Sequence, residues 1–476
     1  MPDTPCFPAW RGRFRRRPPS LTAFDGLRRC TLDKLELRFG HLLTGLEALA
    51  KVRARERPYS VRRTWWCFLW QMLQRNTSCR DVVRQLQAML SLEGRPVVAE
   101  GNSAYCQARA RLPLPLLEAA LHASAQAADH RVAPSAFLQG RVVKVLDGST
   151  LTLPDTPENQ HAYPQPTSQQ RGCGFPLLHV VVVWSARGAG VLAYAKGDYH
   201  HGEMRLVHQL GPTLAAHDIV IYDRAAGHYV ACAWLRTRQT DLISRVSIRK
   251  IDWRHGQRLG QNERLVTWTK TLQPSPYLTP AEWAQLPAAI TVRVIRLRIK
   301  QHGFRARELV LVTTLLDAVA YPAQEIAVAY LRRWRLELCL DDLKTTLGLD
   351  ALRCKTPAMV QRELLALLIA HNLVRAVMAE AAHAQVVSLE RLSFTGTLDA
   401  LRSFCGASAQ AGRPAQRRLL WAEMLRIIAA DPVPLRPNRW EPRVVKRRPK
   451  PYPKLDRPRH EYRETRHGSR YRMQKT

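Results

Sequence analysis

The sequence is short of acid and shorter still of lysine. Against 73 Lys+Arg stand 39 Asp+Glu, a formal net charge of +34, and only 13 of the bases are lysine, leaving 60 arginines. A planar guanidinium fits phosphate oxygens bidentately, so this balance points to a polyanionic partner and away from an enzyme of small neutral metabolites. Ten cysteines are present but no pair has C-x-x-C spacing. That argues against a zinc ribbon or a disulfide scaffold and fits a reducing compartment with cysteine as a small core residue. No apolar run approaches the ~20 residues of a membrane-crossing helix. The longest, Pro176–Ala186 and Leu364–Val374, carry His179, His371 and Asn372. The opening MPDTPCFPAWRGRFRRR lacks the apolar stretch of a secretory leader, so a cytoplasmic location and no membrane partner are expected. No internal repeat is found. Hydrophobic residues still make up 46% of the 476, enough to bury large cores, which sets the chain apart from disordered basic tails.

The pattern of what is there changes along the chain. Residues 1–20 are rich in Arg and Pro and are expected to lack order. A helical region is expected over 21–136. There Ser78 and Asp81 resemble a capping pair, and Val82, Val83, Leu86, Met89 and Leu90 recur at helical spacing. The segment SAYCQARARLP has the size of a recognition helix, with Arg109 and Arg111 as candidate DNA contacts. A solvated helix face is the alternative. Near Gly140 the period shifts. RVVKVLDGS, PLLHVVVVWSA, GVLAYAKGDY, DIVIYDR and DLISRVS read as strands, with helices between. Strand-like pieces continue over 248–318. Two long helical patterns follow, AQEIAVAYLRRWRLELCLDDLKTTLGL and MVQRELLALLIAHNLVRAVMAEAA. From Arg436 the chain holds 15 Lys+Arg against 4 Asp+Glu, so the Pro-rich tail carries +11 and contacts phosphate without reading sequence.

Three carboxylates stand out by context. Asp147 and Asp223 each end an expected strand, and Glu337 lies within an Arg-rich helix. Carboxylates at strand ends beside a crossing helix can converge, and such a cluster holds Mg²⁺ through few protein oxygens, leaving room for water and phosphate. Taken singly, an Asp at a strand end is better read as a turn residue. Tyr330, Arg333, Glu337 and Lys344 fall within roughly 60° on one helix face at ~100° per residue. That stripe reads either as a salt-bridged solvent face, since Arg333 and Glu337 are four apart, or as a ligand beside two cations and a phenol.

Tyr330-x2-Arg333-x3-Glu337-x6-Lys344 is the full Y-R-E-K signature, and on it the chain resembles the IS4-type DDE transposases. Asp147-Gly148-Ser149 with the following Pro154–Asn159 is similar to the segment of that family's first catalytic Asp. IVIYDRAAGHY is similar to the second, at Asp223, although Arg224-Ala225-Ala226-Gly227 stands where the family pattern has Arg-Gly-aromatic. The likeness runs in order from about Val142 to Ala381. Asp341 and Asp342 are rival third acids, but Glu337 alone fits the spacing.

The resemblance implies an α/β fold: an RNase H-like core at 137–247 and 319–350, interrupted by a β-rich insertion at 248–318. A helical DNA-binding domain at 21–136 precedes it, and a helical region at 351–432 and a basic tail at 433–476 follow. It implies that Asp147, Asp223 and Glu337 hold the metal, two Mg²⁺ (or Mn²⁺) ions, and that Tyr330, Arg333 and Lys344 contact DNA phosphates. The expected activity is metal-dependent cleavage at the element's ends and joining of the 3′-OH ends to target DNA. The expected partners are the terminal inverted repeats and target DNA, with a homodimer assembled on them in the nucleoid. Alternatives are a nuclease on the same core that does not transpose, and a degenerate copy that only binds DNA. His200, His201 and Glu203 resemble a metal cluster, with capping of the next helix as the favoured alternative. Trp253, Trp268 and Trp283 are candidates to stack on an unpaired base, against ordinary packing.

Overall fold

The computed structural model describes residues 39–40, 58–434 apart from 75, 93, 135, 299–307 and 412, together with 455–458 and 461–462. The expectations for residues 1–20 and for most of 433–476 therefore lie outside the described residues.

Four helices come first: α1 (Val61–Leu73), α2 (Cys79–Leu92), α3 (Ser103–Ala110) and α4 (Leu114–His130). Ser60 caps α1, its side chain accepting from the Arg63 amide at 3.2 Å, and α1 then buries Trp65, Trp66, Phe68 and Leu69. The strands follow: β1 (Val143–Thr152), β2 (Leu177–Ser185), β3 (Val191–Asp198), β4 (Ile219–Tyr222) and β5 (Asp241–Val246). Between them lie α5 (Pro157–Ala162), α6 (Glu203–Gln209) and α7 (Tyr229–Thr237). Next come β6 (Gln257–Gly260), β7 (Glu263–Thr269), α8 (Pro280–Gln285), β8 (Ala289–Arg298) and β9 (Glu308–Thr313). The chain continues through α9 (Ala323–Asp341), α10 (Pro357–Ala384), α11 (Phe394–Gln410) and α12 (Pro414–Ala430).

Among the described residues, nine strands form one mixed sheet, in the order β3-β2-β1-β4-β5-β9-β8-β7-β6. β1, β2 and β3 pair antiparallel, while β4 runs parallel to β1 and β5 parallel to β4. The strands at 257–313 extend this same sheet, since β9 pairs antiparallel with β5 and β8 with β9.

The central strands are runs of β-branched residues because both of their faces are covered. Their side chains alternate between two cores. Val145, Val180, Val182, Trp184, Ile219 and Ile221 point to the side of α1, α2, α4, α9 and α10. Leu146, Val181, Val183, Val220 and Tyr222 point to the side of α6 and α7. A one-residue slip of β2 would exchange its two faces, so the register of β1 on β2, with Asp147 opposite Val182, is firmly set.

By length and composition alone α10 could cross a membrane, yet 89% of its most apolar window is buried within the protein. It is apolar on all sides because neighbours surround it. Two adjacent polar residues near its middle, His371 and Asn372, are fully buried. His371 lies between the Trp184 edge and the Phe394 ring, and burial pushes its imidazole down to about 3. Asn372 accepts from the Val191 amide at 2.7 Å and donates to Val191 O, Leu121 O and Ser124 Oγ, at 2.9, 3.3 and 3.1 Å. That satisfied amide locks α10 to α4 and to the β3 edge.

Candidate active site where β1, β4 and α9 meet

Helix α9 packs across β1, β4 and β5, so a side chain on its sheet-facing side reaches the region past the last parallel β1–β4 pair. That pairing covers only Val143–Val145 of β1. Asp147 lies just beyond it. The expectation that Asp147 ends a strand is corrected: β1 runs on through Gly148 and Ser149 to Thr152, still paired with β2. What ends before Asp147 is the parallel partner, and this opens the space in front of its carboxylate.

Asp223 follows directly on β4. Its Oδ1 accepts from the Ala225 amide at 2.7 Å and caps a single 3₁₀ turn, Arg224–Ala226. Ser244 Oγ donates to the Asp223 carbonyl at 2.5 Å, tying the turn to β5. At Gly227 a Cβ would stand 2.4 Å from the Arg245 carbonyl, so close approach to β5 requires glycine there.

Glu337 is exposed on α9, and the Arg333 guanidinium pairs with it at 2.7 Å. Arg333 also faces Asp147 and Tyr330. Burial pushes the Asp147 carboxyl up to about 6; Arg333 opposes the shift, and Glu337 and Glu203 add to it. One guanidinium is thus shared between acids on a strand and on a helix that are 190 positions apart.

Glu203 is the residue that sequence reasoning undervalued. It occupies the first turn of α6, and its carboxylate lies against Gly148, where a Cβ would fall 2.2 Å from its Oε1. Burial first, and then the Glu203 charge, pushes the Tyr222 hydroxyl far up, with Asp223 and Asp147 adding to it. The neighbouring His201 imidazole is engaged elsewhere. His201 Nδ1 pairs with Asp198 Oδ1 at 2.7 Å, and the His200 amide donates to the same oxygen at 2.8 Å. The signal was the glycine next to Asp147, in a strand otherwise built of larger residues. Among the described residues, no three His, Cys, Asp or Glu side chains stand close enough together to grip an ion as they are.

Three further expectations change. Tyr330 is 3% exposed with its ring 5.7 Å from the Arg333 carbon, so it floors the site instead of presenting a hydroxyl to DNA. Lys344 does not continue the α9 stripe. The helix ends at Asp341, and Asp342–Thr346 winds as a π-turn, whose wider coil moves Lys344 out of register. Arg109 is not a groove-reading side chain. It is 8% exposed and lies over the Phe68 and Tyr105 rings at 5.0 and 5.1 Å, because α3 packs this face onto α1. Arg111, the C-cap of α3, is exposed. Of the rival acids, Asp341 is exposed, and Asp342 faces Arg375. Trp253, Trp268 and Trp283 pack against the second core, with Lys270 Nζ 4.9 Å from the Trp283 ring.

The family pattern described as "Transposase DDE domain" matches residues 138–373, a span containing all three acids. The chain is 28% identical over 409 residues to Transposase InsG for insertion sequence element IS4 of Escherichia coli (strain K12), covering 84% of this chain and 88% of that protein. Among solved structures it is similar to the piggyBac transposase synaptic complex with hairpin DNA, at 9% identity and a TM-score of 0.39 over 86% of this chain and 85% of that one. The chain belongs to the IS4-type DDE transposase family and is a DNA transposase.

Proposed function

We propose that Asp147, Asp223 and Glu337 are the catalytic acids of a cut-and-paste transposase, that Glu203 is a fourth carboxylate at their side, and that Arg333 positions the set. The observation that carries this reading is the Arg333 guanidinium paired with Glu337 and facing Asp147, with the Glu203 carboxylate seated against the adjacent Gly148. Inside a protein of net charge +34, a local excess of acid needs a reason. The family works with divalent cations, and the donors here are hard oxygens; an Asp147 anion destabilised by burial and like charge is what a cation among them would relieve. When bound, two Mg²⁺ or Mn²⁺ ions would activate the attacking oxygen and stabilise the leaving oxygen of an in-line phosphoryl transfer.

The side chains divide the remaining work. Arg333 holds Glu337 turned toward the sheet and offsets part of the crowding at Asp147. Gly148 leaves the room that the Glu203 carboxylate fills. Tyr330 supports Arg333 from beneath. Lys344 and Arg111 contact phosphate, and the distributed positive charge binds duplex regardless of sequence. Water and then the freed 3′-OH act as nucleophiles, so no covalent protein–DNA intermediate is required. The order β3-β2-β1-β4-β5, with β2 alone antiparallel to both neighbours and β4 and β5 parallel to β1, supports an RNase H-like core. The helical 21–136 segment and the strands at 248–318 are then additions to that core. On DNA the protein acts as a homodimer.

The test is cleavage of a plasmid carrying the terminal repeats. Asp147→Ala, Asp223→Ala and Glu337→Ala should each abolish metal-dependent cleavage and leave duplex binding largely intact, since the basic surface is unchanged. A variant that cleaves like wild type removes its residue from the site. Cleavage without strand-transfer products would reduce the activity to that of a nuclease.

A further inference from the structure

A cavity of about 770 Å³ opens between the N-terminal helices and the segment that follows the π-turn. Arg109 and Gln71 line one wall, Lys344, Arg353 and Lys355 the other. None of the roles argued above uses it.

Arg109 is its unusual member. At 8% exposure, a guanidinium is expected to face a carboxylate. Here its hydrogen bonds go to the Gln71 amide oxygen at 3.4 Å and the Cys106 sulfur at 3.8 Å, and its Nε has no partner. The Phe68 and Tyr105 rings hold the cation in place from both sides without neutralising it. Two acids also line the cavity. Glu363 is occupied, accepting from the Arg353 and Cys354 amides at 2.9 Å each. Asp350 is exposed. The Arg353 guanidinium donates to neutral oxygens, Thr77 O and Asn76 Oδ1, at 3.2 Å each. Four cations therefore line the cavity against two acids.

We propose that this cavity is a binding site for a phosphate-bearing nucleotide unit, with Arg109 as the buried anchor and Arg353 and Lys355 as the rim. A fixed guanidinium fork suits phosphate oxygens, the rim cations add charge where the ligand enters, and the volume lies within the range of small-ligand sites. The unit is either a free nucleotide or part of a DNA strand. The second source rests on the DNA-facing role of Lys344, which shares the cavity wall.

Two half-buried cysteines in the lining provide a direct readout. Cys79 and Cys106 are half-buried in the wall, while Cys173 is half-buried elsewhere and serves as reference. The full chain is alkylated with iodoacetamide and the modified sites are counted by mass spectrometry. The additions are inorganic phosphate, a deoxynucleoside, its 5′-monophosphate, or a 5′-phosphorylated pentadeoxynucleotide. The phosphorylated nucleotides should slow labelling of Cys79 and Cys106 several-fold and leave Cys173 unchanged; the plain deoxynucleoside should not. In the Arg353→Ala/Lys355→Ala double variant the protecting concentration should rise about ten-fold, the worth of one charge-assisted contact. Equal protection by monophosphate and pentanucleotide identifies a free nucleotide; a large preference for the pentanucleotide identifies a DNA strand. Protection without any duplex shift on a gel would keep the site and remove the DNA reading. Unchanged labelling by every phosphate probe, in protein that still shifts duplex, overturns the proposal, as does equal protection by the plain deoxynucleoside.

Discussion

Gly148→Ala isolates the part of the site that rests on Glu203. A Cβ built on residue 148 falls 2.2 Å from Glu203 Oε1 and 2.8 Å from its Cδ. That is about 1 Å or more inside ordinary contact, so the carboxylate must swing away by a similar distance. The displaced atoms are the end of a flexible side chain at the head of α6, and the new methyl replaces a strand glycine. Overpacking and backbone effects should nearly cancel, leaving stability within about 1 kcal/mol of wild type. Activity should respond much more. Misplacing a positioned group by ~1 Å costs up to about 100-fold, and loss of a supporting ligand about 10–100-fold. Single-turnover cleavage, with denaturant unfolding in parallel, should therefore show a rate loss of one to two orders of magnitude in a normally folded protein. Glu203→Ala should lose a similar factor, and adding Gly148→Ala to it should change little, because the methyl then displaces nothing. Wild-type cleavage by Gly148→Ala would refute the reasoning, and so would an equal slowing by that substitution in the Glu203→Ala background.

Lys344→Ala should lower the salt slope of duplex binding by about 0.9, one phosphate contact, whereas Arg333→Ala should leave the slope unchanged and abolish cleavage, since Arg333 is committed to acids. Binding titrations across a salt series distinguish them. The Asp147 carboxyl, held up at about 6 by burial and its acidic neighbours, lies above the ~3.9 of a free aspartate, so the fold favours its neutral form. The resulting penalty is absent near pH 4, grows as pH rises to about 6 and then levels at about 3 kcal/mol. Asp147→Asn should accordingly raise the denaturant midpoint at pH 8 and match wild type near pH 4, while Mg²⁺ should stabilise wild type at pH 8 much more than the variant. Asn372→Ala removes the acceptor of the buried Val191 amide and a donor to the Val191 carbonyl, while Leu121 O keeps Ser124 Oγ, so it should lower unfolding stability by about 1–3 kcal/mol in a chemical melt.

Much of this fold was legible because the chain advertises its periods. The valine run at 180–183 can only be a strand covered on both faces, and the spacing around Tyr330, Arg333 and Glu337 can only be a helix. The acids were legible as a set because two follow apolar runs and the third sits one turn from an arginine. What stayed hidden depends on pairing and packing. Nothing local marks the point at which β4 stops pairing with β1, so Asp147 read as a strand end when it is mid-strand. The π-turn at Asp342–Thr346 leaves the residue spacing unchanged while shifting Lys344 away from the stripe. Arg109 and Arg111 carry the same charge two positions apart, and only the packing of α3 on α1 buries one and exposes the other.

The charge arithmetic and the site geometry meet in one argument. Arginines throughout this chain create a field that attracts polyanion and raises no preference for where on it chemistry occurs. A cluster of acids inside that field is the opposite kind of element: it repels the same polyanion until cations intervene. Arg333 takes Glu337 and faces Asp147 at once, and a single guanidinium cannot neutralise both carboxylates. Burial first, and then the Glu337 and Glu203 charges, keep the Asp147 carboxyl up near 6 against the opposing pull of Arg333. A fully paired cluster would be more stable and would have no use for a metal. On the proposed reading, the arrangement gives up folding stability at one point of β1, and a cation bound there would meet phosphate held by the surrounding arginines.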